Sequence, residues 1–160
     1  MVINLDHYID QCTNRVAKNT LLAIIRTESK GNPWAINLNA KKHLRYQPLS
    51  LKQATNWVNY LEKNNYNFDV GLMQVNIKNI HKYGYNASEL LDPCKNLAIG
   101  SLILKKNYHA ALNQSKTPNS ALLMAISAYN TGNYHRGFSN GYVGKVYYNA
   151  KVVSQTASLK

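Results

Sequence analysis

Residues 21–33 read LLAIIRTESKGNP, and this stretch says most about the fold and chemistry of the chain. The apolar residues Leu21, Ile24 and Ile25 recur at helical spacing, which predicts an amphipathic helix. Glu28 falls on the same face of that helix. We therefore expect a carboxyl group that points toward the interior of the protein.

The predicted ends of this helix place Glu28 in its last turn. Asn19 or Thr20 is expected to cap the start, and Gly31 followed by Pro33 predicts the end. Carbonyl groups at a helix C-terminus carry partial negative charge and burial removes water, so both effects favour the protonated acid. Such an acid can donate a proton to a leaving oxygen. The alternative is an ordinary surface glutamate, rotated off the apolar stripe.

The length and charge of the chain limit its organisation and its partners. Its 160 residues predict a single domain, with residues 1–19 as an N-terminal helical region and residues 154–160 as a flexible tail. Nineteen Lys and Arg residues against seven Asp and Glu give a net charge of +12, which attracts polyanions or carboxylate-bearing polymers. Because the basic residues are scattered, we expect no nucleic-acid partner.

The sequence shows no membrane-spanning pattern. No stretch approaches the roughly 20 apolar residues that cross a bilayer, so we expect no transmembrane segment. The opening MVINLD lacks the charged start and apolar run of a signal peptide. If the protein is exported, we expect its signal peptide to be absent from this chain.

Cys12 and Cys94 lie far apart, and neither belongs to a C-x-x-C pair. Two buried free thiols and one disulfide are both compatible with this spacing. A disulfide that closes so long a loop would contribute on the order of 4 kcal/mol and would indicate an oxidising compartment.

Helical patterns dominate the chain. They predict helices over residues 6–13, 20–30, 51–64, 77–82, 96–113, 120–129 and 143–153. In the third of these, Ser50 is a candidate cap. One face of that helix carries Ala54, Trp57, Val58 and Leu61, which predicts a structural role. The polar stretches 32–46, 66–76 and 130–144 are the loops in which we expect a functional site.

Several chemistries are not predicted. The five histidines do not fall at metal-ligand spacing, so we expect neither a metal nor a cofactor. The nucleophile elbow, the phosphate-binding loop and the dinucleotide fingerprint have no match. Asp69 is the one candidate for a second carboxylate beside Glu28. Ordinary glycosidases need two such groups.

Four short motifs resemble those of the lysozyme-like lytic transglycosylases. They are RTESKGNPWAIN at 26–37, DVGLMQVN at 69–76, AYNTG at 128–132 and YVGKV at 142–146. Each is weak alone, but together they follow the family's order. FDVGL at 68–72, DPCKNL at 92–97 and NGYV at 140–143 are similar to the VirB1 group, which serves type IV secretion and conjugation. A related group of type III secretion systems is an alternative.

This resemblance implies a predominantly α fold, α+β in the lysozyme sense, that acts on peptidoglycan glycan strands. Glu28 would protonate the oxygen between N-acetylmuramic acid and N-acetylglucosamine. It would then take the proton of the muramic acid 6-hydroxyl, whose attack leaves a 1,6-anhydro end. A lysozyme-type hydrolase in which Asp69 orients water, and a catalytically idle peptidoglycan-binding assembly factor, are the alternatives.

The resemblance also implies substrate-binding residues: Asn37, Met73, Gln74, Asn76, Tyr129, Asn130 and Tyr142. Each has a structural alternative. Gln74 and Asn76 can instead close their loop, Met73 can pack in the core, and the tyrosines can be half-buried at helix ends. Asn37 departs from the serine common in relatives. We expect Asp69 to hold its own loop and Ser29 to bond local backbone.

In the VirB1 group, paired cysteines occur in the segments that hold Cys12 and Cys94, which favours a disulfide between them. That bond would join the first helix to the start of the long central helix and agrees with a periplasmic location. The resemblance further implies components of an envelope-spanning secretion system as partners, and a monomer.

Overall fold

The computed structural model describes residues 3–13, 15–39 and 43–158, and over this part the chain is predominantly helical, as predicted. The helices are α1 (Leu5–Cys12), α2 (Lys18–Glu28), α3 (Leu51–Lys63), α4 (Ile77–Lys82), α5 (Pro93–Leu112), α6 (Pro118–Thr131), α7 (Arg136–Ser139) and α8 (Tyr142–Ala157). A 3-10 helix covers Ala87–Leu91, and three short strands are β1 (Ile36–Leu38), β2 (Phe68–Val70) and β3 (Val75–Asn76). Among these helices, each is too short or too polar to traverse a lipid bilayer.

The described residues divide into two compact units. Unit 1 contains the described residues of the ranges 1–13 and 28–100, and unit 2 contains those of the ranges 14–27 and 101–160. The division falls within α2 and α5, so these two helices contribute residues to both units.

Unit 1 is built on an antiparallel sheet in the order β1-β2-β3. Ile36 lies opposite Val70, and Val70 lies opposite Val75, so their buried side chains face the same core. The 3-10 helix packs against α3 and β2, and α4 packs against the sheet. Because one face of the sheet is covered in this way, alternate residues of β2 are buried.

A disulfide between Cys12 and Cys94 joins α1 to the first turn of α5 within unit 1. This confirms the pairing that the resemblance favoured. The bond closes a loop of 82 residues, for which the chain-entropy model gives about 4 to 5 kcal/mol.

Unit 2 consists mainly of α6, α7 and α8, which pack against one another. Helices α6 and α7 approach each other closely at Gly137 of α7, whose backbone N–H donates to Ser127 Oγ at 2.8 Å. A Cβ at position 137 would lie 2.6 Å from the Cα of Ser127, so only glycine fits there. A second cluster packs Tyr108 and Tyr134 against three smaller buried side chains, Ala111, Ala121 and Met124.

Most helix ends differ from the predicted ones by a few residues. Helix α2 begins at Lys18, so Asn19 and Thr20 lie inside it and neither is the cap. It ends at Glu28, because Lys30 and Gly31 both adopt the left-handed conformation. Asp92 accepts a hydrogen bond from the Lys95 N–H, and α5 therefore starts before the predicted residue 96.

Other differences concern whole segments. Helix α8 continues to Ala157 and so includes residues 154–157 of the predicted flexible tail, while 159 and 160 lie outside the described residues. The three strands, the 3-10 helix and α7 have at most five residues each, too short for a periodic pattern. Ser50 caps α3 as predicted, accepting from the Gln53 N–H at 3.2 Å.

Candidate active site

Glu28 is the last residue of α2 and is partly buried. Leu21, Ile24 and Ile25, which precede it on the helix, are fully buried, as the apolar stripe predicts. The carboxyl group thus lies at the helix end where the carbonyl groups are unpaired within the helix. This is the position that the sequence predicted for the candidate acid.

The turn that follows Glu28 is fixed to a distant loop of unit 1. The hydroxyl of the buried Ser29 donates to the carbonyl oxygen of Leu72 at 2.8 Å. The Ser29 Oγ in turn accepts a hydrogen bond from the Gly31 N–H at 3.2 Å. The prediction that Ser29 bonds local backbone therefore describes only half of its role, since Leu72 is 43 residues away.

The residues before Glu28 are held within unit 2 by Asn149 of α8. The Asn149 Nδ2 donates to Thr27 Oγ1 at 2.9 Å, and its Oδ1 accepts from Arg26 Nε at 3.1 Å. The Thr27 hydroxyl also donates to the Ala23 carbonyl, so it both donates and accepts a hydrogen bond within the protein. Sequence reasoning missed Asn149, and no local motif marks a partner 122 residues away.

Gln74 closes the loop between β2 and β3. Its Nε2 donates to the carbonyl oxygens of Ala35 at 3.0 Å and Gly71 at 2.8 Å, and its Oε1 accepts from Asn37 Nδ2 at 2.8 Å. The residue is 8% exposed, and its φ of 49° is left-handed. Of its two predicted roles, the structure supports loop closure, because the amide donors have protein partners.

Asn76 is similarly engaged at the end of β3. Its Oδ1 accepts from the Lys78 N–H and caps α4, and its Nδ2 donates to the side chains of Asn67 and Asp69, each at 2.8 Å. For Asn76, as for Gln74, these bonds support loop closure, the structural alternative to sugar binding. Donation from Nδ2 to a sugar would require these bonds to break.

Met73 is fully buried, and its backbone N–H donates to Asn96 Oδ1 at 2.9 Å. Its side chain packs so closely against Gly100 that a Cβ there would lie 2.6 Å from the sulfur. This burial favours core packing, the structural alternative for Met73, and a contact with sugar stays a prediction.

Asn96 is a further residue that sequence reasoning missed. It is buried, and its Nδ2 donates to the carbonyl oxygens of Val70 at 2.8 Å and Leu90 at 2.9 Å. With its bond to Met73, this one side chain satisfies three backbone groups. The motif DPCKNL, which contains Asn96, was the available signal.

Asp69 lies in the middle of β2, opposite Asn37 of β1. Burial raises the pKa of its carboxyl group above the ordinary 3.8, although hydrogen bonds from Asn76 and Asn39 act in the opposite direction. The carboxylate accepts from Asn76 Nδ2, so Asp69 holds its own loop, as expected.

Other carboxylates also have structural partners. Glu62 pairs with His81 at 2.6 Å, and Asp92 accepts from the Lys95 N–H. Glu89 forms a capping box with Asn86 and pairs with Lys95 at 3.0 Å. The backbone bond from Asn86 and the contact with Lys95 lower the pKa of Glu89. These acids are therefore accounted for without a catalytic role.

Three further predicted site residues lie in unit 2. Tyr129 is half-buried near the end of α6, Asn130 is exposed, and Tyr142 is buried at the start of α8. Asn140 joins the last two, because its Nδ2 donates to Asn130 Oδ1 at 3.1 Å and its Oδ1 accepts from the Tyr142 N–H at 2.9 Å. A substrate role for these three residues stays a prediction, and so does one for Asn37, which is exposed in unit 1.

Comparisons with known proteins agree with the motifs. The family model described as Transglycosylase SLT domain matches residues 8–151. The Type IV secretion system protein virB1 of Brucella suis is 39% identical over 151 residues, 91% of this chain and 63% of the relative. Protein virB1 of Rhizobium radiobacter is 40% identical over 142 residues, 88% of this chain and 58% of the relative.

The Agrobacterium fabrum protein virB1 is 37% identical over 142 residues, 88% of this chain and 57% of the relative. The chain thus spans about three fifths of the length of these curated relatives. The family match, together with the predominantly helical architecture and its small sheet, confirms the lysozyme-like fold class.

Proposed function

Because this chain belongs to the transglycosylase SLT domain family, we propose that it is a lytic transglycosylase that acts on peptidoglycan. It cleaves the β-1,4 bond between N-acetylmuramic acid and N-acetylglucosamine and leaves a 1,6-anhydro end on the muramic acid. Glu28 is the catalytic acid and then the base.

The observation that carries this proposal is the way Glu28 is held. It ends α2, and the hydroxyl groups of both chain neighbours are hydrogen-bonded: Thr27 Oγ1 accepts from Asn149 Nδ2, and Ser29 Oγ donates to the Leu72 carbonyl. A catalytic acid must keep its geometry to within a fraction of an ångström, which needs such supporting bonds. Four acids other than Glu28, by contrast, cap helices, form ion pairs or hold a loop, and the other two, Asp6 and Asp10, lie in α1.

The reaction needs only one carboxyl group in the protein. Glu28 donates its proton to the bridging oxygen as the glycosidic bond breaks. The carboxylate that results takes the proton of the muramic acid 6-hydroxyl while that oxygen bonds to the anomeric carbon of the same sugar. Because the nucleophile belongs to the substrate, no second carboxylate has to activate water, and the tethered hydroxyl has an entropic advantage.

We propose a periplasmic location, where the enzyme opens the cell wall locally for a secretion or conjugation apparatus and works as a monomer. The relatives from Brucella carry the name of a type IV secretion system protein. The disulfide fits an oxidising compartment, and the net charge of +12 suits peptide stems that carry carboxylates. Asn37, Tyr129, Asn130 and Tyr142 are the proposed substrate contacts.

The test compares wild type, Glu28→Gln and the matched control Asp6→Asn on purified sacculi, with products analysed by mass spectrometry. We expect wild type and Asp6→Asn to release muropeptides with 1,6-anhydro ends. Glu28→Gln should lose at least about a hundredfold in rate while its thermal unfolding is unchanged.

Three results would contradict the proposal. Full activity of Glu28→Gln would remove the acid from the mechanism. Products that are heavier by one water, with reducing ends, would indicate a hydrolase. Sacculus binding by the wild type without any product would indicate an assembly factor.

A further inference from the structure

Helix α3 presents two aromatic rings to solvent, and a third ring beside them belongs to a residue that follows the helix. The exposed fractions are 40% for Trp57, 53% for Tyr60 and 38% for Tyr66. The ring centroids of Trp57 and Tyr60 are 6.2 Å apart, and those of Tyr60 and Tyr66 are 6.4 Å apart. The rings therefore form one continuous surface, which we call the aromatic platform.

The core does not require this arrangement. Ala54, Val58 and Leu61 are the buried residues of α3 and supply the contacts that hold the helix in unit 1. The sequence pattern placed Trp57 on one face with these three residues, but Trp57 is 40% exposed and so lies at the edge of the buried stripe. Contiguous exposed apolar surface is unusual and indicates a binding site.

The platform borders two adjoining concavities in unit 1, of about 360 and about 480 Å³. Trp57, Tyr60 and Gln53 line both of them, which makes the two a continuous groove. Neither Glu28 nor a residue of the loop 71–76 lines this groove. The surface is thus separate from the residues that carry the proposed chemistry.

The chemistry of the groove fits a sugar polymer. Aromatic faces bind the carbon–hydrogen faces of sugar rings, and a few polar groups fix the orientation. Within the described part of the chain, the amide of Asn56 and the indole Nε1 of Trp57 make no hydrogen bond, and Gln53 uses only its Oε1, for the Leu49 N–H. These groups are available to hydroxyl and acetamido groups.

The charge of the groove favours an uncharged or acidic ligand. Its described lining contains His43 and Arg45 but no Asp or Glu. Arg45 lies over the ring of Tyr46, 5.4 Å from the centroid, so that aromatic face is already taken. A glycan with carboxylate-bearing stems meets these conditions better than a cationic ligand does.

We propose that the aromatic platform is a second glycan-binding surface, which holds the peptidoglycan strand apart from the residues that cleave it. This inference rests on the proposed function for its choice of glycan. A second attachment point raises the local concentration of the polymer and lengthens its residence on the enzyme.

The experiment measures co-sedimentation of the Glu28→Gln protein with purified, protein-free sacculi, so that cleavage does not alter the ligand. In this background the double change Trp57→Ala and Tyr60→Ala removes the platform. The matched control is Tyr147→Ala with Tyr148→Ala, two exposed aromatic residues of α8. We expect the platform variant to bind about tenfold more weakly and the control to bind normally.

A Trp57→Tyr variant distinguishes loss of the aromatic ring from loss of the fold, because it changes the residue but keeps an aromatic face at the same position. It should retain most of the affinity, and glycan strands stripped of their peptide stems should show the same ranking of variants. Equal binding by the platform variant and the control, or a platform effect seen only with free stem peptides, would overturn the inference. A protein partner would then be the remaining occupant.

Failure of this inference is distinguishable from failure of the proposed function. If wild type makes no 1,6-anhydro product but binding still depends on Trp57, the enzymatic proposal fails and the platform stands. If the products form and binding does not depend on Trp57, only the platform fails.

Discussion

The loop 71–76 and the outer face of α3 both belong to unit 1, yet they use polar and aromatic side chains in opposite ways. In the loop, Gln74 and Asn76 have the amides expected of a sugar site, but they bond protein atoms. On α3, Trp57 has the pattern of a core residue, but its ring is exposed. Residue chemistry alone therefore does not separate binding from support.

The difference follows from what each backbone needs. The loop turns sharply between two strands, with left-handed conformations at Gly71 and Gln74, and its carbonyl groups cannot pair along a helix or sheet. Buried backbone groups must be satisfied, so nearby amides take that role. Helix α3 satisfies its own backbone, which leaves its outer side chains free for another purpose.

The largest expected effect in this comparison is the loss of Asn96, which supports the loop. Asn96→Ala would leave the carbonyls of Val70 and Leu90 and the N–H of Met73 buried without partners. We expect the free energy of unfolding to fall by on the order of 4 kcal/mol, as measured by urea denaturation. The exposed Asn113→Ala is the control, and a similar small loss for both variants would show that the loop does not depend on this amide.

Gln74→Ala should have a smaller effect of the same kind. It removes two donated bonds and one accepted bond, but water can reach part of the site because the side chain is 8% exposed. The expected loss in unfolding free energy is about 2 kcal/mol, compared with almost none for Gln155→Ala on the surface of α8. Native stability with weakened sugar affinity would instead restore the sugar-binding role.

The smallest effect is a pH dependence at Asp69. Its pKa is raised by burial, so the folded protein binds this proton more tightly than the unfolded chain does. The associated stability is fully present below pH 3.8 and is lost as the pH rises through the raised pKa.

The Asp69→Asn variant has no carboxyl group to ionise at this position. Its stability should therefore not fall as the pH rises through the raised pKa of Asp69. Relative to wild type, its unfolding free energy should therefore improve as the pH rises from about 3 to 7. Urea denaturation across that range measures the difference. A difference that stays constant, or that moves in the opposite direction, would mean that burial does not control this carboxyl group.

The fold was predictable where local pattern and capping agree. The buried stripe of α2, the Ser50 cap and the long apolar face of α5 are all readable from spacing. The disulfide needed the family resemblance, because spacing alone left two free thiols equally open. Short strands of two or three residues have no period to read.

The site was predictable at Glu28 but less so around it. Its position at the end of α2 follows from the sequence, whereas its support does not: Asn149 and Leu72 are brought in by tertiary packing. The exposure of Trp57 also depends on tertiary structure. Trp57 lies at the edge of the apolar stripe of α3, and the packing of the helix decides whether a residue at that edge is buried or exposed.

The central claim is that Glu28 alone, with a nucleophile from the substrate, cleaves the glycan. Digestion of sacculi in water enriched in a heavy oxygen isotope, followed by mass spectrometry of the muropeptides, tests it most directly. We expect 1,6-anhydro ends that carry no heavy oxygen, because no water enters the reaction. Reducing ends that contain the isotope would contradict the account and assign the nucleophile to water.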